Sequence, residues 1–194
     1  MRPIVGWGTM HPVRLTRRGS FCTGTLIAAD LTPREQHRTR FVLTCAHFFR
    51  ESDEAHVRGR GFTRRVVAVH RVPGTDIAVA EMDRPAPPTT VPRVARTPLP
   101  LGARVLTDAA SGLREGRALL PLPFALSRVS TLVRPAHLLR SGAIKGDSGA
   151  AVLHEGAVYA TQALVFDPGG RNLGLATVAP VAPYWHTLRC LLRR

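Results

Sequence analysis

Nowhere do apolar residues run for anything near the roughly 18 positions that a membrane-spanning helix requires. The longest candidate, Ala118 to Leu126, is interrupted by Pro121 and Pro123. A transmembrane helix is thereby excluded, and a soluble, globular chain with no membrane partner is expected. Cysteine is scarce and odd in number: Cys22, Cys45 and Cys190 cannot complete a disulfide framework, which suits a reducing compartment. The amino terminus, MRPIVGWGTM, lacks the apolar core of a secretory signal, because Gly6, Trp7, Gly8 and Thr9 follow only two aliphatic residues. The expected location is the cytoplasm, or outside the cell if an upstream segment has been removed. Lysine is nearly missing. Of 27 basic residues, all but Lys145 are arginine, a skew that a GC-rich coding sequence explains more simply than selection for phosphate contacts. The net charge of +14 invites a nucleic-acid reading. The arginines, however, are scattered in singles and pairs such as Arg17-Arg18 and Arg64-Arg65 with no binding motif around them, so nucleic acid is not expected as the primary partner.

What is present is a succession of short apolar runs between turn signals: FCTGTLIA, RFVLTCAH, RRVVAVHRV, DIAVAEM, ARVLTDA, AAVLHE and AVYATQALVF. Their length and β-branched content predict strands, and their close spacing an all-β sandwich or barrel. His154-Glu155-Gly156 predicts a hairpin turn. From Asp83 to Pro100, six prolines in eighteen residues are incompatible with an interior strand or helix and halve the chain. The expected organisation is an N-terminal unit over 1–84, a linker over 85–100 and a C-terminal unit over 101–194. Trp185, Leu188 and Leu192, spaced by three and four after Pro183, predict a short terminal helix. Residues 29–40 are polar and charged and predict an exposed loop; His56 reads as a residue of a charged loop and His70 as one on the barrel surface.

Chemistry enters with the stretch KGDSGA around Ser148. A serine hydroxyl is a poor nucleophile at neutral pH and needs a base, a group to orient that base, and donors for the developing oxyanion. Three segments can supply these in order: FVLTCAHFF with His47 at a strand end, TDIAVAEM opening at Asp76, and GDSGAAV with Ser148. Together they resemble the trypsin and chymotrypsin family of serine proteases, in its bacterial-type trypsin-like form, whose corresponding motifs are TAAHC, DIAL and GDSGGP. GSFCTGTLI resembles the family's FCGGSLI strand, and GLATVAPVAPYWHTL its last strand and terminal helix, so the resemblance covers nearly the whole chain.

The resemblance implies two packed Greek-key β-barrels with a short C-terminal helix, the first carrying His47 and Asp76 and the second Ser148. It implies a serine endopeptidase acting on protein or peptide through an acyl-enzyme, with no cofactor and no metal. His47 would be the base and acid, Asp76 its orienter, and the Gly146 and Ser148 N–H groups the oxyanion donors. The pocket for the residue before the cleaved bond would be based on Gly142 and walled by Ala163, Leu164, Val165 and Gly174. With glycine where a charged base would stand, an uncharged residue is expected there, since a buried cation would lack a counter-charge. Ile4 resembles the mature amino terminus of family members, whose ammonium pairs with the acid before the serine, here Asp147.

The chain departs from the family in its cysteines. The family's bridge near the active site would need a cysteine after His47, where Phe48 stands, so that bridge cannot form; a Cys22–Cys45 bridge stays open, and the spacing of Cys22, Cys45 and His47 matches no zinc pattern. Two other readings compete. An α/β-hydrolase would use Ser148, Asp167 and His186 but requires a strand-to-helix turn at the serine, where a hairpin pattern follows instead. A protease-like binding module with weak or no catalysis would suit an acidic partner. Oligomeric state is not readable from the sequence.

Overall fold

The structure is a computed structural model describing residues 12–127 and 131–193. In the N-terminal half the strands are β1 (Val13–Arg17), β2 (Ser20–Ile27), β3 (Arg34–His37), β4 (Phe41–Thr44), β5 (His56–Gly59), β6 (Phe62–Arg71) and β7 (Ala78–Met82). All but β3 close a barrel in the order β1-β2-β4-β7-β6-β5, with β5 returning to β1. Alternation decides what fills it. On β1, Val13 and Leu15 point inward while Arg14 is exposed, and Val57 on β5, Val42 on β4 and Phe49 complete the interior.

The proline-rich segment was expected to be free of interior strand. It carries two short edge strands, β8 (Thr89–Val91) and β9 (Arg93–Val94), one for each half of the molecule. β8 pairs with β3 beside the first barrel, and β9 lies parallel to a strand of the second. Edge positions tolerate the flanking prolines because few of their N–H groups face a partner. The 29–40 loop is accordingly only partly exposed: Arg34–Gln36 face solvent, whereas Leu31 and Thr39 are buried. His56, expected in a loop, opens β5.

The second half contains β10 (Arg104–Ala109), β11 (Gly112–Leu122), β12 (Ala125–Leu126), β13 (Leu132–Val133), β14 (Ala136–Ser141), β15 (Ala151–His154), β16 (Ala157–Val165) and β17 (Leu175–Pro180). The ring β15-β10-β11-β14-β17-β16 closes where β16 pairs with β15. Their hairpin turns at Glu155 (φ 48°) and Gly156 (φ 73°), the paired positive φ values of a type I′ turn. Helix α1 (Trp185–Leu191) follows, with Trp185 and Leu188 buried and the indole N–H donating to the Val94 carbonyl at 3.2 Å. Each barrel has its own interior, and a further apolar cluster joins them. It runs from Ile27, Leu43, Ile77 and Val79 of the first barrel to Leu153, Val158 and Trp185 of the second half.

Candidate active site

The site lies along the seam between the barrels and is built mainly from residues just outside strand ends. Strand β4 ends at Thr44, three residues earlier than the sequence suggested, and His47 begins a single 3₁₀ turn over His47–Phe49. Phe48 and Phe49 anchor that turn in the first barrel's interior. Asp76 precedes β7 and is buried. One carboxylate oxygen accepts from the His47 backbone N–H at 2.8 Å and the other meets the ring Nδ1 at 2.7 Å. The second contact makes Nδ1 the protonated nitrogen, leaving the Nε2 lone pair free to take a proton.

Burial of the imidazole works against its charged form. The Cys45 sulfur and the Asp76 carboxylate beside it more than offset this, so its pKa is raised. Cys45 itself is wholly buried, with its thiol pushed well above the ordinary range by desolvation, so it is neutral at pH 7 and the raising effect then rests on Asp76. Its sulfur lies 3.8 Å from His47 Nε2. Cys22 and Cys45 are both buried free thiols, and the Cys22 sulfur is 3.5 Å from Thr44 Oγ1.

Ser148 arrives from the second barrel on the loop before β15, docked onto the first by a set of short polar contacts. The Thr23 N–H donates to the Ser148 carbonyl at 2.8 Å, the Thr23 hydroxyl to the Gly146 carbonyl at 3.1 Å, and the Thr44 hydroxyl to the Thr23 carbonyl at 2.7 Å. Gly149 fills the tightest point. At φ +81°, a Cβ there would stand 2.2 Å from the Thr23 oxygen and 2.3 Å from Thr44 Oγ1. Gly146, at φ +98°, is similarly pressed by the Phe21 ring, 2.6 Å from where a Cβ would be. The fourth residue of GDSG is therefore glycine because the other barrel's backbone occupies its side-chain space.

The Ser148 hydroxyl points to the Ala163 carbonyl at 3.5 Å, and among the described residues no hydrogen bond links it to His47 Nε2. Nor do any described residues accept from the N–H groups of Gly146 and Ser148, which leaves both available to an incoming oxygen. Asp147 is fully buried beneath the loop. The Ser111 hydroxyl donates to one of its oxygens, while the Ile144 N–H (3.0 Å) and the Arg114 guanidinium (3.6 Å) meet the other. Ile4 lies outside the described residues. Ser111 and Arg114 carry no motif of their own; they reach Asp147 through the β10–β11 hairpin.

The expected pocket residues divide into two groups. Ala163 is buried beside Ser148, with Leu164 and Val165 half-buried after it on β16. Gly142 is exposed and shares with Gly174 a cleft of about 730 Å³ that also holds Leu173, Arg104, Arg117 and Arg140 but none of the β16 residues. Asn172 ties the two loops together, donating to the Ala143 carbonyl at 2.7 Å and accepting from the Gly174 N–H at 2.8 Å. The one carboxylate next to Lys145, Asp167, is paired with it at 2.9 Å. A second hollow borders His47 and Asp76, with Arg50, Arg71 and Leu132 on its walls.

A sequence model described as trypsin-like peptidase domain matches residues 22–175. Comparison with curated protein sequences finds no significant match. Among solved structures, the active form of the Rv3671c protease from M. tuberculosis aligns with a TM-score of 0.67 at 18% identity, over 92% of this chain and 78% of that one. Kallikrein-related peptidase 10 aligns at 0.70 and 16%, over 94% of this chain and 95% of that one. A serine endoprotease from Yersinia pestis gives 0.67 and 17%, over 94% of this chain and 62% of that one. At such identities the likeness establishes the fold: two closed, six-stranded antiparallel barrels of the chymotrypsin-like kind, with one short terminal helix.

Proposed function

The chain belongs to the trypsin-like peptidase family, and we propose that it is a serine endopeptidase in which Ser148 is the nucleophile, His47 its general base and acid, and Asp76 the orienter. The observation that carries this reading is the double hydrogen bond from His47 to Asp76, which fixes the imidazole and leaves Nε2 as its basic nitrogen. Rotation of the Ser148 side chain from the Ala163 carbonyl to Nε2 completes the relay. Ser148 Oγ then bonds to the substrate carbonyl carbon as its proton moves to Nε2. The carbonyl oxygen takes up the charge against the Gly146 and Ser148 N–H groups, and the same proton passes to the departing amine. Water then hydrolyses the acyl-enzyme by the same route.

For the residue before the cleaved bond, uncharged side chains are favoured. One carboxylate, Glu115, lines the cleft with Gly142, but Arg104, Arg117 and Arg140 outnumber it there and would repel Lys or Arg. Asp147 takes its counter-charge from Arg114, so a protein still beginning at Met1 is expected to be active without pairing Ile4 to that acid.

A serine-directed phosphonate tests the central claim. Folded wild-type protein should be labelled on Ser148 and should cleave a peptide library, while Ser148→Ala should do neither. One observation favours a second reading as a peptide-binding module: Nε2 faces Cys45 and not the serine. Absence of labelling in folded wild type would select that reading.

A further inference from the structure

Outside the catalytic seam, the outer wall of the first barrel holds a groove of about 620 Å³ whose lining includes five arginines and His56 alongside Glu54. Its composition follows from strand register. Arg14 on β1 stands directly opposite Arg58 on β5, and His56 on β5 directly opposite Arg65 on β6. All four are exposed. Like charges facing each other across strands are unfavourable, and several arginines elsewhere have an acid beside them. Arg34 is paired with Asp30, Arg40 with Glu81, Arg71 with Asp53 and Arg114 with Asp147. In the groove, Arg17 is taken by Glu51 and Arg14 lies over the Phe21 ring, 4.5 Å from its centroid. Among the described residues no carboxylate pairs with Arg18, Arg58 or Arg65. Glu54 also lines the groove but pairs with none of these arginines, so the groove keeps a marked positive excess.

The groove also runs into the active site. Phe21, itself partly exposed, forms one end of it and presses against Gly146 in the oxyanion loop. Ala163, which flanks Ser148 on the pocket strand, is not part of it. A peptide whose residues before the scissile bond lie along Ala163–Val165 therefore leaves Ser148 over Gly146 and Phe21 and then crosses β1 and β5. Two strand spacings, roughly 10 Å, correspond to about three extended residues.

We propose that this groove is a subsite for acidic side chains on the leaving-group side of the substrate, about three to six residues beyond the cleaved bond. Arg14, Arg58 and Arg65 would receive the carboxylates and Phe21 would support the chain between. The proposal rests on the peptidase reading above, because that reading fixes where the scissile bond lies. A peptide is favoured over a nucleic acid by the groove's continuity with the oxyanion loop and by its single aromatic, Phe21, which offers no succession of faces for stacked bases.

The test uses full-length Ser148→Ala protein, which binds without turnover, and fluorescent peptides differing only in whether those leaving-group positions are Asp/Glu or Asn/Gln. Anisotropy should show the acidic peptide bound about tenfold more tightly at low salt, with the difference shrinking as salt rises. In the same background Arg58→Ser/Arg65→Ser, checked for an unchanged melting temperature, should bring the two peptides within about twofold. Equal binding of both peptides, an acidic preference that survives the double substitution, or tighter binding of a single-stranded RNA of equal charge would each overturn the proposal. Failure of the peptidase reading looks different: wild type would cleave neither peptide while the acidic preference of Ser148→Ala persisted. Cleavage of both peptides with no preference would remove the subsite alone.

Discussion

The two barrels contribute to the site in different ways. The first delivers a finished unit: His47 and Asp76 come from the ends of neighbouring strands and are joined by two hydrogen bonds that need nothing from the other half of the chain. The second delivers Ser148 on a loop that takes only part of its shape from its own barrel. Its top is fixed by Thr23 and Thr44 of the first barrel and its underside by Arg114 and Ser111 through Asp147. Orientation of a base can be local, but placement of a nucleophile against that base is a property of the interface.

The sharpest way to break this difference is to attack the finished unit. Asp76→Asn should fold yet lose about ten-thousand-fold in kcat/KM, because the amide no longer holds Nδ1 as the protonated nitrogen. In wild type, kcat/KM should fall as pH drops through the His47 pKa. Since that pKa is raised, the acid limb should lie above the ordinary histidine value of 6.5, and in any residual activity of Asp76→Asn it should move down. Gly149→Ala attacks the interface. A Cβ overlapping the Thr23 carbonyl in a left-handed backbone should cost at least about 3 kcal/mol by denaturant titration and about a thousandfold in activity, with the His47–Asp76 pair left intact.

Arg114→Met tests the underside of the loop. Uncompensated, the buried Asp147 carboxylate should lower stability by about 2 kcal/mol and kcat/KM by roughly a hundredfold in protein whose Met1 is retained. Unchanged activity of that variant, with activity of wild type appearing only after removal of the first three residues, would return the role to Ile4. The smallest effect lies on the wall of the second barrel. Burial raises Asp108 to about 6 from 3.8, so between those values the folded chain holds a proton that the unfolded chain has released. That contribution is fully present below the lower value and is lost as pH rises through the upper one. After allowance for its partial exposure, Asp108→Asn should gain about 1–2 kcal/mol at neutral pH and almost nothing near pH 3.

Much of this was legible where the signal is local. The I′ turn at Glu155-Gly156 and the Trp185-Leu188 face of the helix depend on neighbours within a few residues, and each matches its expectation. The motifs around His47 and Asp76 lead to two residues in hydrogen-bond contact, although the strand before His47 stops short and Ser148 makes no bond to the imidazole. What escaped depends on pairing across the fold. Pro121, read only as interrupting an apolar run, lies within β11 just beyond a register shift between Ala118 and Leu120. Arg114 becomes Asp147's counter-ion only because the β10–β11 hairpin turns it toward the loop. The assumed pocket separated into β16 residues and a Gly142–Gly174 cleft because Asn172 and the Lys145–Asp167 pair shape two loops whose sequences carry no common signal.

The apolar cluster joining the barrels carries a consequence for how the molecule moves. Leu43, Ile77 and Val79, close in sequence to His47 and Asp76, are buried together with Leu153, Val158 and Trp185 of the second half. Parting the halves would wet that whole surface, at about 25 cal/mol for each square ångström of apolar area exposed. The seam between the halves therefore resists opening like a hinged jaw. On the proposed peptidase reading, the bonds within reach would be those in strands, tails and loops that arrive already extended.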